Sequence, residues 1–320
     1  MTNVTASRLG AANSAAANYT QANALFLKVF AGEVLTAFDE TNVMKDLHVS
    51  RTIASGKSAS FPVTGKANAA YHVVGTPLLG TQTIAHNEIV VNIDDVLIAD
   101  TFIANIDEAK NHYDVRSEYS RLLGMALAKQ FDVRLLQLAV LAARGTATVT
   151  GGNGGTAITD ADAATNGASL AASIFAAAQA MDEKDVPEND RVAIVRPAQY
   201  YQLVQTTDVI NRDFGGAGVY ADGTVLKVAG VQIVKSNNIP STNIASAITG
   251  ENNTYHGNFS TTVAVVMQKQ ALGTVKLMDL AVERTSGDFE VMYQGTLMAA
   301  KYAMGHGILR PECSVEIKSS

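Results

Sequence analysis

The chain has 320 residues, of which 47% are hydrophobic and 17% charged, and its net charge is −6. An average soluble domain carries about 25% charged residues, and this apolar, weakly charged composition excludes an intrinsically disordered protein. The acidic balance does not fit a protein that binds DNA through a basic stripe, and a single cysteine excludes an intramolecular disulfide framework.

The length predicts roughly two domains of about 150 residues each. No stretch approaches the run of about 18 apolar residues that a membrane-spanning helix requires. The first twenty residues have no apolar core region, so we expect no secretory signal. Low charge in a soluble chain indicates that much of its surface is buried against other subunits.

Within the first hundred residues the predicted structure changes twice, from a polar arm to a helix and then to strands and turns. Residues 1–23 are polar and rich in Ala and Asn, which predicts a mobile arm, and an apolar face over residues 24–42 predicts a helix. Residues 48–100 are rich in strand and turn signals, and 89–98 read as one half-buried strand. Because large apolar side chains are few in this region, we predict a long hairpin that projects from the body.

The strongest periodic element covers residues 106–144. Asn105 and Glu108 form a capping-box pattern at its start, and Gly124 is a candidate bend within it. At 1.5 Å per residue the helix would be roughly 55–60 Å long. Such a helix is unusually long for a core of this size, and we interpret it as a spine.

The second half alternates between strands and helices. A loop at 146–157, a helix at about 160–184, the strand–helix sequence RVAIVRP-AQYYQLVQ and the strands VQIVKS and VAVVM predict an α/β domain over about 146–270. Residues 276–285 and 291–310 read as two long strands joined around 286–290, with a partly helical alternative for the second. SVEIK forms the last strand.

Sequence motifs for catalysis fail when they are tested. Gly56-Lys57-Ser58 resembles the end of a phosphate-binding loop, but Arg51 stands where the loop needs Gly, and Phe61-Pro62 follows instead of a helix. No two of the six histidines have the spacing of a metal site. We therefore predict no enzyme, no catalytic residues, no cofactor and no metal.

Five segments resemble the major capsid protein of T-seven-like short-tailed bacteriophages. They keep the family's order and together cover about 65 residues. The segments are Leu25–Phe38, Ser55–Tyr71, Asn111–Ser120, Gly273–Arg284 and Ala300–Glu312.

The resemblance implies an α+β fold of the Hong Kong 97 type. Residues 1–47 would form the N-terminal arm, and 48–100 the extended β-hairpin loop. Residues 101–145 and 271–320 would form the peripheral domain with the spine helix and long strands, and 146–270 the axial domain. Its two least ordinary features, a projecting hairpin and an oversized helix, agree with the element-by-element prediction.

The resemblance also implies a function and a set of partners. The chain would assemble with itself as hexamers and pentamers into an icosahedral head, with triangulation number seven expected, around double-stranded DNA that it binds without sequence specificity. A scaffolding protein, a portal protein at one vertex and a decoration protein would be partners, and no membrane would be. A rounded procapsid, made in the cytoplasm of the bacterial host, would expand when DNA is packaged into the virion.

Seven residues are our candidates for contacts between subunits. On the extended loop, Phe61 and Tyr71 are favoured because exposed aromatic side chains on a projecting hairpin reduce solubility unless they are covered. The charged candidates could equally be solvated. The full set is Lys57, Phe61, Lys66 and Tyr71 on the loop, with Asp279, Glu283 and Arg284 opposite.

Two alternatives stay open at this point. The first is an encapsulin-like shell that holds a cargo enzyme, and the second is a soluble α/β enzyme whose site is assembled non-locally. The size of the assembly separates a shell from an enzyme, and its contents separate the two kinds of shell.

Overall fold

The computed structural model describes residues 42–77, 80, 83–106, 115–206, 227–285 and 288–319. The predicted arm 1–23, the first helix and residues 107–114 of the spine helix lie outside these residues. The chain divides into two compact units. The first unit contains Met1–Lys45, Asp95–Asp132 and Leu277–Met304, and the second contains Asp46–Asp94, Val133–Lys276 and Gly305–Ser320.

The core of the second unit is a six-stranded sheet. Its order is β5 (Thr156–Thr159), β14 (Ser314–Lys318), β11 (Thr262–Gln268), β6 (Arg191–Val195), β8 (Val231–Lys235) and β7 (Lys227–Val228). Every residue of β6 and β11 is buried. Their β-branched sequences RVAIV and TVAVVMQ are what a strand covered on both faces requires. The strands predicted at RVAIVRP, VQIVKS, VAVVM and SVEIK are confirmed.

Helices and short strands complete this unit. Helix α2 (Gly167–Asp182) begins at Asn166, whose side chain accepts the N–H of Ala168, and it contacts helix α3 (Pro197–Gln205) and β14. Leu170, Ile174 and Met181 of α2 are fully buried, as the 3.6-residue period of an amphipathic helix requires. A two-stranded ribbon of β9 (Asn243–Ile244) and β10 (Gly257–Asn258) lies in the same unit.

The hairpin forms a further two-stranded sheet in the second unit. Strand β2 (Ser58–Thr64) pairs antiparallel with β3 (His86–Asn92), from Ser58 opposite Asn92 to Thr64 opposite His86. The hairpin predicted within 48–100 is thus present. Strand β1 (Val49–Thr52) precedes it and pairs in parallel with Gly273–Lys276.

The single strand predicted over 89–98 is wrong. Strand β3 ends at Asn92 and β4 begins at Leu97 (Leu97–Ala104). At this point the Asp94 carboxylate accepts hydrogen bonds from Asn252 and Asn253, which are distant in sequence. The β-branched pattern across this point contains no signal for that interruption.

The long helix and long strands are confirmed over the residues the structure describes. Helix α1 runs over Val115–Ala143, about 44 Å at 1.5 Å per residue. Strands β4, β13 (Gly295–Ile308) and β12 (Leu272–Arg284) are neighbours in one sheet in that order, and the first unit contains β4, β13 up to Met304 and β12 from Leu277. Helix α4 (Asp288–Tyr293) takes the start of the predicted second strand, which is the partly helical alternative. No described helix has the length and apolar character needed to cross a membrane.

Candidate inter-subunit surfaces

The hairpin has two strands, and most of their side chains are exposed or half-buried. The alternating pattern of β2 places Ala59 inward and leaves Phe61 half-buried. The guanidinium of Arg51 lies 5.8 Å from the centre of the Phe61 ring, and its Nη1 donates to the carbonyl of Ser60 at 3.2 Å. Lys57 is exposed, and its carbonyl accepts the N–H of Ile93 at 2.9 Å.

The connection between the two strands carries an apolar patch. Tyr71, Val73 and Val74 are exposed to 104%, 68% and 95%. A turn follows, in which Thr76 donates its N–H to the carbonyl of Val73 and Gly75 has a φ of +91°. We name Tyr71, Val73 and Val74 the tip patch. The sequence argument identified Tyr71 and missed the two valines, although an adjacent apolar pair before a Gly-Thr-Pro turn was a usable signal.

Lys66 is engaged within its own unit. Its Nζ lies 2.9 Å from the Asp185 carboxylate, and both side chains are exposed. Asp185 lies in the turn after α2 with a φ of +59°. Exposed ion pairs of this kind contribute about 0–1 kcal/mol, so this one is a weak tie between the hairpin and the unit that carries it.

The candidates on β12 lie in the first unit. Asp279, Glu283 and Arg284 are exposed. The Glu283 carboxylate is 2.6 Å from Nζ of Lys301 on β13, and Asp279 accepts the N–H of Leu280 at 3.0 Å. The sequence argument did not identify Lys301. Contact of these residues with the hairpin of another copy remains a prediction.

A buried polar cluster lies at the base of the hairpin. The Tyr255 hydroxyl donates to Asp94 and accepts the N–H of His306 at 3.1 Å. Thr274 Oγ1 lies 2.9 Å from His306 Nδ1. Burial raises the pKa of Asp94 and also that of Tyr255. Burial, with the nearby positive charges of Arg134 and Lys276 and the neighbouring His48, lowers the pKa of His306 to about 3. His306 is therefore neutral near pH 7.

A polar cleft of about 500 Å³ lies in the second unit, lined by Asp182, Arg191, Lys227 and Lys269 among others. The Arg191 guanidinium is 2.7 Å from Asp182 and donates to the carbonyl of Pro187 at 3.0 Å. The buried charge of this cleft is thus neutralised within its own unit. In the described part of the chain, no group of three His, Cys, Asp or Glu side chains could hold a metal ion.

The fold is shared with solved phage capsids. The capsid protein of cyanophage P-SCSP1u matches with a TM-score of 0.82 and 50% identity, over 100% of this chain and 99% of that chain. The mature capsid of bacteriophage PhiM1 matches with a TM-score of 0.73 and 19% identity, over 97% of both chains. These similarities define the class as a capsid protein with the α+β fold of the Hong Kong 97 type.

Sequence comparison specifies the family. The model described as Gp10A-like, major capsid protein, matches residues 60–318. The major capsid protein of Escherichia phage T7 is 37% identical over 318 residues, covering 91% of this chain and 90% of that protein. The chain therefore belongs to the Gp10A-like major capsid protein family, and the resemblance seen in the sequence is confirmed. It is a structural protein of the virion, and many copies assemble into the icosahedral capsid of a tailed phage.

Proposed function

We propose that this chain forms the hexamers and pentamers of an icosahedral head that encloses double-stranded DNA without sequence-specific contacts. The shell is first built around a scaffolding protein in the cytoplasm of the host bacterium, carries a portal protein at one vertex, and expands when DNA enters. A decoration protein on the outer surface is a further candidate partner. The chain itself has no enzymatic role in this scheme.

The observation that carries the proposal is the exposed tip patch on a hairpin without a core of its own. Burying the exposed side chains of Tyr71, Val73 and Val74 against a neighbour is favourable by about 25 cal/mol for each Å² of apolar surface removed from water. Such contacts are individually modest. Repetition over a lattice makes the shell stable while each contact stays reversible during assembly.

The domain roles in this proposal are those that the family resemblance implies. Residues 48–100 would be the extended loop over a neighbour, 146–270 the axial domain at the centre of a hexamer or pentamer, and 101–145 with 271–320 the peripheral domain. Residues 1–47 would be the arm. Asp279, Glu283 and Arg284 would then meet Lys57, Phe61 and Tyr71 of another copy. Lys66 would have to exchange Asp185 for that partner.

The net charge of −6 supports a container for DNA. A protein with an acidic balance does not release the many counterions that make basic proteins bind DNA tightly, and the packaged genome stays free to move out. An encapsulin-like shell around a cargo enzyme remains the alternative, and it differs in its contents.

The deciding experiment is light scattering with negative-stain microscopy on the purified chain, with and without its scaffolding protein. We expect closed shells or rings tens of nanometres across. Shells recovered from infected cells should contain DNA, and a protein cargo in its place would favour the encapsulin-like alternative. A monomer or dimer that stays small with scaffolding protein present would refute the proposal.

A further inference from the structure

The last residues of the hairpin have an unusual neighbour. The backbone bonds Ile93 N–H to Lys57 carbonyl and Gly65 N–H to Ala85 carbonyl place the odd-numbered residues of β2 in bonded contact with β3. Because bonding alternates along an antiparallel pair, the N–H and carbonyl of Asn92 point away from β2. That outer edge of β3 would normally be met by another strand or by water.

A side-chain amide takes the place of that strand. Asn253 Oδ1 accepts the N–H of Asn92 at 3.2 Å, and Asn253 Nδ2 donates to the carbonyl of Asn92 at 2.7 Å. Asn252 Nδ2 donates to the carbonyl of Ile93 at 2.7 Å. Two adjacent carboxamides thus satisfy the backbone of the hairpin at the point where its ladder stops.

The Asp94 carboxylate extends the same arrangement. It accepts the N–H of Asn252 at 2.7 Å, Nδ2 of Asn253 at 3.0 Å and the Tyr255 hydroxyl. The Tyr255 ring is completely buried, and the Arg134 guanidinium lies 5.2 Å from its centre. The hydroxyl that donates to Asp94 is thus carried by a buried ring that packs beside Arg134.

Two glycines let the hairpin base lie directly on a strand backbone. A Cβ on Gly305 of β13 would fall 1.8 Å from the carbonyl oxygen of Asn92, and a Cβ on Gly307 would fall 2.5 Å from Cγ2 of Val91. Real Cβ atoms do not approach other atoms so closely, and any side chain at either position would displace the hairpin. Val91 is 1% exposed in this contact.

We infer that Asn253, Tyr255 and the glycine pair Gly305 and Gly307 form a seat that fixes the base of the hairpin and sets the direction in which its tip patch points. The seat holds the hairpin through backbone hydrogen bonds and close contact, so it acts on the direction of the whole ribbon. The inference rests on the proposed function, because direction matters only if the tip patch meets another copy.

The test measures hairpin direction in the unassembled subunit. Cysteines are introduced at His72 and Glu183, both in the second unit, for spin labels. Native Cys313 is 1% exposed and burial raises its pKa to about 11, so labelling is selective. We expect Asn253→Leu to broaden the distance distribution, and to speed amide exchange at Asn92 about tenfold, as loss of one ordinary hydrogen bond predicts. Asn237→Leu, at an exposed asparagine of the same unit, should change neither.

Two gentler variants guard against a folding defect. Asn253→Asp keeps the acceptor for Asn92 N–H but replaces the donor with a charge next to Asp94. Tyr255→Phe removes only the hydroxyl. Each variant is checked for a native circular dichroism spectrum and a cooperative melt. An unchanged distance distribution in folded Asn253→Asp and Tyr255→Phe would overturn the inference, whatever happens to assembly.

Assembly is measured separately to keep the two proposals apart. Broadened distances together with lost or misshapen shells support both the seat and the contact that it directs. Broadened distances with normal shells overturn the step from seat to assembly. Whether the tip patch itself makes a contact is decided by replacing tip residues while the seat stays intact.

Discussion

Arg144 and Glu316 form a two-pronged ion pair in the second unit. Arg144 Nε and Nη2 each lie 2.6 Å from a Glu316 oxygen, at the end of α1 and in the middle of β14. Thr262 also donates to Glu316 at 2.7 Å, and Arg144 donates to the carbonyl of Asn258 at 2.6 Å. The hydrogen bonds to Glu316 raise the pKa of Arg144. This pair attaches the last turn of the helix to the sheet.

We expect Arg144→Met to lower the free energy of unfolding by about 3 kcal/mol, since removing one partner leaves the buried charge of the other uncompensated. Glu316 is completely buried, whereas the Arg144 side chain is 29% exposed. The double variant Arg144→Met with Glu316→Leu should lose less than Arg144→Met alone. Urea unfolding of the unassembled subunit measures both, and an equal or larger loss in the double variant would contradict this account.

Acid should destabilise the subunit through His306. The pKa of this group is about 3 when folded and about 6.5 when unfolded. Below pH 6.5 the unfolded chain therefore binds a proton that the folded chain does not. The free energy of unfolding should fall by about 1 kcal/mol per pH unit from 6.5 towards 3. Burial raises the pKa of Asp94, so at acid pH the folded chain takes up this proton more readily than the unfolded chain. Protonation of Asp94 therefore opposes the loss of stability caused by His306.

The measurement is urea unfolding at several pH values between 7 and 5 for the wild type and for His306→Gln. The variant will be less stable at pH 7, but its stability should depend less steeply on pH, by up to one proton. Parallel curves for the two proteins would show that His306 is not the titrating group.

Replacing Phe61 and Tyr71 together with Ser should leave a folded subunit that fails to close shells. Neither ring is part of a buried core, because Phe61 is half-buried and Tyr71 is fully exposed, so the melting temperature should change little. Normal shells from this double variant, scored by negative-stain microscopy, would show that assembly requires neither Phe61 nor Tyr71. His72→Ser, at an exposed neighbour, is the matched control.

The ion pair between Lys66 and Asp185 should matter little to stability. Both side chains are well exposed, and such pairs contribute about 0–1 kcal/mol and weaken with salt. We expect Lys66→Ala to change the free energy of unfolding by less than about 1 kcal/mol, with a smaller effect at high salt. A loss that persists in 1 M salt would show that Lys66 has a further role.

Gly155 lies so close to the backbone of another segment that any side chain there should destabilise the fold. A Cβ there would fall 2.2 Å from the carbonyl oxygen of Ala142 and 2.4 Å from that of Ala143, where the chain passes the end of α1. Neither atom belongs to a flexible side chain, so we expect Gly155→Ala to cost about 1–3 kcal/mol, as overpacking does. Gly152→Ala, whose Cβ would lie 3.1 Å from Val149, should lower the stability less. Thermal melts of the two variants measure the difference.

Elements with one dominant environment could be predicted from the sequence. Strands β6 and β11 are buried on both faces, so their β-branched runs identify them, and the apolar run of α1 is buried on every side over residues 135–140. The hairpin followed from the scarcity of large apolar side chains. These features depend on neighbours in sequence or on composition, which pattern analysis detects.

The features that the sequence did not predict depend on partners far away in the chain. At the interruption between β3 and β4, the bonds from Asn252 and Asn253 to Asp94 join residues 158 and 159 positions apart. The bond from Tyr255 to Asp94 spans 161 positions, and the one from Lys66 to Asp185 spans 119. Gly305-His306-Gly307 lies within a segment whose sequence resembles the family, but the sequence alone does not show why glycine is needed there. The structure shows the reason, because Asn92 and Val91 lie too close to Gly305 and Gly307 for a side chain.

Pro62 reduces the ability of the hairpin edge to pair with another strand before the subunit assembles. Its missing N–H falls on the outer edge of β2, since the odd-numbered residues bond inward, and Arg51 covers the carbonyl of Ser60 beside it. At the opposite edge of the ribbon, the Asn253 carboxamide hydrogen-bonds the N–H and the carbonyl of Asn92. Free strand edges are templates for fibrous aggregation, and both edges of this ribbon are interrupted. The hairpin of a subunit that has not yet assembled is therefore a poor template for edge-to-edge pairing with another hairpin.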